Sequence, residues 1–398
     1  MTWQVLNPYD QECIGSVELV DWPQVDRWLD EARALHEDRQ ARLPAHKRIA
    51  ILQRASGLMR ERAETLAMQI ALEGGKPIVD ARVAVASGCP VLVKPAKDTP
   101  LSCKSFVEIL YEAGLDERWC RFVPCSNDVA EQMVIDSRTA FFSFIGSARV
   151  GWMLRSKLAP GTRLALEHGG AAPVIVDEGV ASGKVIPPLL KGGFYHSGQV
   201  CVSVQRVFVP RAELPDFAAE LAAGAEALTV GDPTKAETQC GPLIRPAEVD
   251  RVESWVDAAV QGGGRLAAGG KRTGSTLYQP TVLVDPPCDA DVSQKEVFGP
   301  VVCIYGYDDV DAAIGQANAL PYAFQAAVFT DRMSWADYCV ETLAASAVMV
   351  NDHTAFRVDW MPFAGRRQSG LGTGGIGYTM ADMSEEKMVV VNAPSSVR

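Results

Sequence analysis

Cys201 is the residue of this chain best placed to act as a nucleophile. It lies where the glycine-containing loop His196–Gln199 gives way to an alternating valine run from Val202 to Val209. The pattern predicts a loop that feeds a strand, with the thiol at the junction. Such a junction can leave the side chain accessible while the strand fixes its backbone, so a thiolate there could attack a carbonyl carbon. The alternative is a buried cysteine that packs as a small hydrophobic residue.

Two further loops could bind an anionic ligand. Gly146 and Ser147 lead straight into a predicted helix, so the glycine lets the backbone approach a ligand and the serine can cap the helix or bond a phosphate. Lys94 and Lys97 follow a short predicted strand, and their ammonium groups could pair with an anion. A helix cap without a ligand and a solvated lysine pair are the alternative interpretations.

The elements that must position these residues alternate between strand and helix from residue 90 onward. Alternation of this kind predicts βαβ units and a parallel sheet covered on both faces, with ligands at the carboxyl ends of the strands. The part before residue 90 is predicted to be helical scaffold, with helices at 22–36, 44–73 and 78–86. The later predicted strands are 91–93, 121–125, 140–144, 163–167, 174–176, 278–285, 301–307, 326–330 and 347–351, and the helices are 99–113, 129–136, 149–159, 211–228, 246–262, 308–319 and 333–344.

Composition narrows the class of protein. A length of 398 residues suits two or three domains, and 47% hydrophobic with 22% charged residues is typical of a globular chain. The net charge of −11 argues against a nucleic-acid partner. We expect a cytoplasmic protein without a membrane partner, because the sequence shows neither an apolar run of membrane-spanning length nor a targeting segment at its start. The ten cysteines have no metal-ligand spacing, so no metal site is expected.

The motifs that accompany Cys201 resemble those of the aldehyde dehydrogenase superfamily. The segment Gly198–Cys201 (GQVC) is similar to the nucleophile loop of that family. The segment Leu166–Gly170 (LEHGG) is similar to its general-base motif, normally Glu-Leu-Gly-Gly, with His168 in place of the leucine. Glu167 precedes Cys201 by 201 − 167 = 34 residues, the separation that the family shows. Further similar segments are FIGS at 144–147, GDP…CGPLI at 231–244, KEVFGPV at 295–301 and PFAGRRQSG at 362–370.

The resemblance implies an aldehyde oxidation with NAD or NADP as cofactor. Cys201 would form a thiohemiacetal and then a thioester, and Glu167 would be the general base that activates water. Glu296 and Phe298 would contact the nicotinamide ribose and ring, and Gly146 and Ser147 would contact the phosphates. The implied fold class is α/β, with a shortened Rossmann-type parallel-sheet domain, an α/β catalytic domain and a C-terminal oligomerisation strand at 388–392. We place these parts at residues 1–186, 187–377 and 378–398.

The resemblance also indicates residues that select cofactor and substrate. Lys94 matches the family lysine that bonds the adenosine ribose, and Lys97 stands where NAD-specific members often carry a glutamate. A cation at that place would attract a 2′-phosphate, so we predict that NADP is accepted. Arg357 could hold a carboxylate or phosphate on a small semialdehyde, or be an unpaired surface residue. The candidate substrate residues are Tyr195, Val200, Val202, Phe356 and Arg357.

One departure from the family pattern affects the expected activity. Ala86 runs almost directly into Val91, so several dozen residues that hold an interdomain hairpin, the first strand of the cofactor domain and an oxyanion-donating asparagine in relatives are absent here. Loss of one oxyanion donor typically lowers the rate by about a hundred- to a thousandfold. The hairpin also joins the oligomerisation sheet of relatives, so the expected dimer or tetramer depends on what replaces it. The alternatives to a dehydrogenase are a residual thiol esterase and a binding-only pseudoenzyme.

Overall fold

A computed structural model describes residues 1–74, 87–358 and 360–392 of the chain. Helices and strands alternate from the third strand onward, as the sequence predicts. In chain order the strands are β1 Thr2–Leu6, β2 Cys13–Glu18, β3 Val91–Val93, β4 Cys120–Phe122, β5 Phe141–Ile145, β6 Arg163–Glu167, β7 Ala172–Val176, β8 Val204–Pro210, β9 Arg265–Ala268, β10 Thr281–Val284, β11 Val301–Tyr307, β12 Tyr322–Ala323, β13 Gln325–Phe329, β14 Ala347–Val350, β15 Arg366–Arg367 and β16 Gly370–Leu371.

The helices lie between these strands and in the first part of the chain. Two short 3₁₀ turns, Glu117–Trp119 and Tyr195–Gly198, accompany them. The α-helices are α1 Trp22–Glu37, α2 Ala45–Glu61, α3 Ala63–Glu73, α4 Pro100–Glu112, α5 Asn127–Ile135, α6 Ala148–Arg155, α7 Ser182–Phe194, α8 Leu214–Glu226, α9 Pro246–Gln261, α10 Asp291–Gln294, α11 Val310–Asn318, α12 Met333–Thr342 and α13 Ile376–Asp382. Within the described ranges, none of these helices combines the length and apolar character that crossing a bilayer requires.

The larger sheet forms the main core. Its seven strands lie in the order β14-β13-β7-β8-β11-β10-β9, and all neighbours are parallel except β9 and β10. The strands β8 and β13 are buried throughout, because helices cover both faces of the sheet. Two apolar clusters fill the two faces, one against α7 and α8 and the other against α9, α11 and α12.

Two smaller sheets carry the predicted cofactor loops. Strands β3 and β4 pair in parallel and form one two-stranded sheet. Strands β5 and β6 also pair in parallel, and β16 joins β6 in the antiparallel direction. The predicted parallel sheet of this region is therefore divided into two pieces, β3–β4 and β16–β6–β5.

The first helices follow local sequence signals. The Asp21 carboxylate accepts a hydrogen bond from the Gln24 amide and caps α1, as its position before Pro23 predicts. The predicted helix at 44–73 is two helices, because Arg62 adopts φ −106° and ψ 17° between α2 and α3. The hydrophobic period continues across this break, so the sequence pattern does not predict the break. The predicted helix at 78–86 lies outside the described residues.

Sheet pairing does not follow the domain limits expected from the sequence. Strand β7 precedes the expected boundary near Pro187 but pairs in the larger sheet, while β16 follows it and pairs with β6. Pro187 itself lies inside α7. The chain passes from one sheet to the other between Glu167 and Ala172, because strand hydrogen bonds rather than composition decide which sheet a strand joins.

The predicted strand at the C-terminus is wrong for the single chain. Residues 388–392 form no strand within the described part of the chain, and the side chains from Met388 to Val391 are 75–87% exposed. A strand exists only where a neighbour pairs with its N–H and C=O groups, and no strand of the described ranges pairs with these residues. A role in oligomerisation stays a prediction.

Candidate active site

The loop before Cys201 has a backbone that few residue types adopt. His196, Ser197 and Gly198 all have positive φ values of 52°, 56° and 69°. Gly198 cannot be replaced without movement, because an added Cβ would lie 2.1 Å from the Gly299 carbonyl oxygen. Left-handed backbone at the two successive non-glycine positions, His196 and Ser197, is costly and persists only where the surroundings hold it. The nucleophile loop is therefore a rigid platform pressed against the segment that follows Phe298.

Buried hydrogen bonds hold this loop. The Gln199 amide donates to the Pro242 carbonyl at 3.1 Å and accepts from the Ile244 N–H at 2.9 Å. The Ser197 hydroxyl donates to the Gly241 carbonyl at 2.6 Å. The segment 240–244, singled out in the sequence as a motif without a chemical role, thus fixes the loop that carries the cysteine.

Cys201 is half-buried at the edge of a small apolar cluster. Burial and, to a smaller extent, the charge of the Cys201 sulfur raise the pKa of the Tyr195 hydroxyl above its usual value, so the two groups interact electrostatically. The Arg357 guanidinium lies 4.2 Å from the centroid of the Phe363 ring, so it borders the same cluster. The cluster consists of Val200, Cys201, Val202, Phe324, Ala355 and Phe363.

Phe356 and Tyr195 are, like Arg357, exposed members of the predicted substrate set. Their side chains are 43% and 42% exposed, respectively, whereas Val202 is buried. The structure therefore groups four of the five predicted substrate residues, Tyr195, Val200, Val202 and Arg357, around the sulfur or its cluster. Phe356 is next to Arg357 in the chain and exposes its ring to solvent.

Glu167 ends β6 and occupies a space that a glycine leaves open. An added Cβ at Gly374 would lie 2.2 Å from Glu167 Oε1 and 2.9 Å from the Phe363 carbonyl oxygen. The carboxylate of Glu167 therefore lies against Gly374 and close to Phe363, whose ring packs in the cluster of Cys201. Gly374 was not predicted as a site residue. The only sequence signal for it is the glycine-rich stretch from 365 to 377.

Glu296 and Phe298 lie close to the two glycines of the general-base motif. Glu296 Oε1 occupies the space that a Cβ at Gly169 would need, at 1.5 Å. Glu296, Phe298 and Val200 line one pocket together with Gly170. Gly170 also lines the neighbouring pocket that contains Cys201. The predicted ribose-contacting residues and the predicted nucleophile are therefore on adjoining surfaces.

A buried arginine supports this region and was not predicted. Arg206 is 3% exposed and donates to the Ala171 carbonyl at 2.9 and 3.0 Å, and its other bonds go to the carbonyls of Gln316 and Ala317 at the end of α11. Burial lowers its pKa to about 10. A cation at a helix C-terminus is favourable, so Arg206 joins α11 to the backbone that follows Gly170.

Gly146 and Ser147 lie at the start of α6, as predicted. Both residues are exposed, and Ser147 is the N-cap residue but makes no side-chain cap hydrogen bond. The first turn of α6 has no acidic residue and contains Arg149, which is exposed. The exposed start of α6, with Ser147 and Arg149, is thus a surface suited to an anion.

Lys94 and Lys97 stand apart from the other predicted residues, at the end of β3. The Lys94 ammonium lies 5.5 Å from the centroid of the Trp3 ring, and burial lowers its pKa below the usual value. Lys97 is exposed. The neighbouring Asp98 pairs with Arg245 at 3.5 Å. The described residues contain no group of three or more acidic, cysteine or histidine side chains placed to hold a metal ion.

Comparisons with known proteins give one consistent family. The model of the aldehyde dehydrogenase family matches residues 1–85 and 80–389. The 3-sulfolactaldehyde dehydrogenase of Priestia aryabhattai is 36% identical over 310 residues, which cover 78% of this chain and 65% of the relative. The chain therefore spans slightly less than two thirds of the length of that relative.

Solved structures with similar folds agree with this family. Aldehyde dehydrogenase 21 from Physcomitrella patens, in complex with the reaction product succinate, superimposes with a TM-score of 0.93 and 28% identity, over 100% of this chain and 96% of that chain. Glyceraldehyde-3-phosphate dehydrogenase from Methanocaldococcus jannaschii, complexed with NADP, superimposes with a TM-score of 0.90 and 28% identity, over 96% of this chain and 97% of that chain. The predicted α/β fold is thereby confirmed.

Proposed function

Because this chain belongs to the aldehyde dehydrogenase family, we propose that it oxidises an aldehyde to the carboxylic acid with NAD or NADP. The observation that carries the proposal is the position of the Glu167 carboxylate. It lies beside Gly374 and the Phe363 carbonyl, and the Phe363 ring packs in the cluster that contains Cys201. The proposed nucleophile and the proposed general base therefore border one site.

The chemistry follows from these two side chains. The Cys201 thiolate adds to the aldehyde carbon, and a C–S bond forms while the carbonyl oxygen takes the negative charge. When bound, the nicotinamide supplies the acceptor for the hydride that leaves this carbon. Glu167 then takes a proton from a water molecule that attacks the thioester, and the C–S bond breaks to return the thiolate. The rigid backbone from His196 to Gly198 keeps the sulfur in place through both steps.

The residues at the start of α6 and around Gly169 fit a nicotinamide dinucleotide. The Ser147 hydroxyl is not used to cap α6, and the exposed Gly146 has no side chain to obstruct a phosphate. The Glu296 carboxylate lies against Gly169, next to the general-base motif, where it could accept hydrogen bonds from ribose hydroxyls. The exposed Lys97 ammonium supports the use of NADP, because it could pair with a 2′-phosphate.

We infer that the substrate is a small aldehyde with an anionic group, a semialdehyde in the simplest case. Arg357 supports this inference, because its guanidinium borders the cluster around Cys201 and stacks on Phe363. Stacking fixes the plane of the guanidinium and leaves its N–H groups free to form paired hydrogen bonds with a carboxylate or phosphate. Relatives named for sulfolactaldehyde oxidation and crystallised with succinate handle anionic compounds.

We also infer that an internal segment of the family pattern is absent next to Ala86. The family model matches in two segments that overlap at residues 80–85, and the predicted parallel sheet of this region is divided into the two sheets β3–β4 and β16–β6–β5. Absence of the strand and the oxyanion donor of this segment would lower the rate of aldehyde oxidation. Assembly into a homo-oligomer is supported by the exposed apolar run from Met388 to Val391, which pairs with no strand in the part of the chain that the structure describes.

The test is production of reduced nicotinamide from a panel of neutral and anionic aldehydes, with NAD and NADP. We expect the wild-type protein to reduce the cofactor and Cys201→Ala to be inactive, with circular dichroism confirming that both are folded. Glu167→Gln should retain one fast turnover and then stop at the thioester. No cofactor reduction by folded wild-type protein would refute the proposal. Ester hydrolysis without nucleotide would then separate a thiol esterase from a binding-only protein.

A further inference from the structure

His168 is a buried polar residue for which the proposed reaction has no assigned use. It follows Glu167 directly and is 1% exposed. Its Nδ1 atom lies 2.8 Å from the Gly146 carbonyl oxygen. A carbonyl oxygen only accepts hydrogen bonds, so Nδ1 carries a proton and donates. This bond joins the general-base motif to the turn that begins α6.

The imidazole ring has no freedom to leave this position. An added Cβ at Gly151 would lie 2.1 Å from His168 Cε1, so the glycine backbone of α6 is pressed directly on the ring. The edges of Phe144 and Trp152 enclose it, with ring centroids at 5.9 and 6.0 Å. The Nε2 atom is buried and has no hydrogen-bond partner among the described residues. The bond from Nδ1 to Gly146 therefore anchors the ring together with its edge contacts to Phe144 and Trp152.

Gly146 is held at both of its backbone polar groups by two successive residues. Its N–H donates to the Glu167 carbonyl at 3.1 Å, and its carbonyl accepts from His168. Glu167 and His168 together thus fix the plane of the turn. The backbone N–H of His168 in turn donates to the Ser369 carbonyl at 2.9 Å, which anchors the motif on the segment of β16.

The bond to Gly146 also fixes the direction of the next amide. In a trans peptide the carbonyl of one residue and the N–H of the following residue point in opposite directions. Because the Gly146 carbonyl points inward to His168, the Ser147 N–H must point away from it. That direction leads to the exposed surface at the start of α6, where an anion would be bound.

We propose that His168 is a positioning residue that aims the Ser147 N–H at the cofactor phosphate. The contacts of the imidazole go to Gly146, Phe144 and Trp152, so we assign it no part in the bond-making steps. It acts through Gly146 and ties the cofactor turn to the backbone of the general base. The role in cofactor binding rests on the proposed function.

The test compares His168→Asn with His168→Leu. An asparagine side-chain N–H₂ group can lie where Nδ1 lies and can still donate to Gly146, whereas leucine fills space without a donor. We expect His168→Leu to raise the dissociation constant for NADP and the exchange rate of the Gly146 amide by about three- to tenfold, the effect of one lost hydrogen bond. His168→Asn should stay within about twofold of wild type in both.

Two readouts separate positioning from a general loss of structure. The KM for NADP should rise in His168→Leu while kcat stays within about twofold, because Cys201 and Glu167 are unchanged. Equal losses in the asparagine and leucine variants, or none in either, would overturn the proposal. If the wild-type protein binds no nucleotide, the proposed function fails. The exchange rate at Gly146, measured by mass spectrometry without nucleotide, still decides whether His168 holds the turn.

Discussion

Replacement of Gly374 by alanine should displace the carboxylate of the proposed general base while Glu167 itself is unchanged. The new Cβ would lie 2.2 Å from Glu167 Oε1, and an ordinary contact begins near 3.4 Å, so the carboxylate must move by 3.4 − 2.2 = 1.2 Å. The Phe363 carbonyl at 2.9 Å blocks movement of the Cβ in the other direction. Gly374 does not have a positive φ, so its backbone conformation is open to alanine, and the Phe363 carbonyl needs to shift only slightly.

The magnitude follows from the role of the displaced group. A positioned general base contributes about a hundred- to ten-thousandfold, and a displacement of about 1 Å can remove a hundredfold of that. We expect kcat of Gly374→Ala to fall by about ten- to a hundredfold. Formation of the thioester needs only Cys201 and cofactor, so the first turnover should remain fast and appear as a burst of reduced nicotinamide.

The assay is stopped-flow absorbance of reduced nicotinamide, followed into the steady state. The matched control is Gly377→Ala in the same stretch, where an added Cβ meets nothing within 4 Å and φ is not positive. It should keep wild-type rates. Wild-type kcat in Gly374→Ala, or loss of the burst together with the steady-state rate in a folded protein, would refute this account of Gly374.

Three further outcomes are expected. Lys97→Glu should shift the ratio of kcat/KM values for NADP and NAD towards NAD by about tenfold, and an unchanged ratio would contradict the role of this exposed ammonium. Arg357→Ala should raise KM about three- to tenfold for aldehydes with a carboxylate but leave neutral aldehydes unaffected, which steady-state kinetics on matched substrates would decide. Burial lowers the pKa of His168 and of His353 below the ordinary value of 6.5. Below that pH the unfolded state therefore binds more protons than the folded state, and the free energy of unfolding decreases as the solution is acidified. In urea titrations between about pH 5 and 7, the free energy of unfolding of His168→Leu should depend less steeply on pH than that of the wild type. An equal dependence on pH would show that His168 does not contribute.

Local sequence signals specified many of the elements. The strands Arg163–Glu167 and Val301–Tyr307 lie at the predicted residues, and α1 begins at the predicted cap. Apolar runs, alternation and capping residues report burial and chain direction within a few residues, which is sufficient to place such elements. The hairpin of β1 and β2 was not predicted, because its strands are short and expose most of their side chains.

The sequence by itself also determined the order and chemistry of the motifs. A cysteine at a loop-to-strand junction, a glutamate before two glycines and a glycine-serine turn before a helix are recognisable without any structure. Spacing along the chain cannot show which of these groups meet. The tertiary structure decided that the Glu167 carboxylate fills the space at Gly374, which is 374 − 167 = 207 residues later in the chain.

Only the fold showed the contacts of His168 and the division of the predicted cofactor sheet into β3–β4 and β16–β6–β5. Both sequence and structure place His168 beside Glu167, but only the folded chain brings its ring to the Gly146 carbonyl and under Gly151. In the same way, the sequence predicts β3 and β5 as strands of one sheet, but in the structure they belong to two separate sheets. Close approaches and strand partners join residues distant in sequence, and a local pattern carries no information about the distance between them.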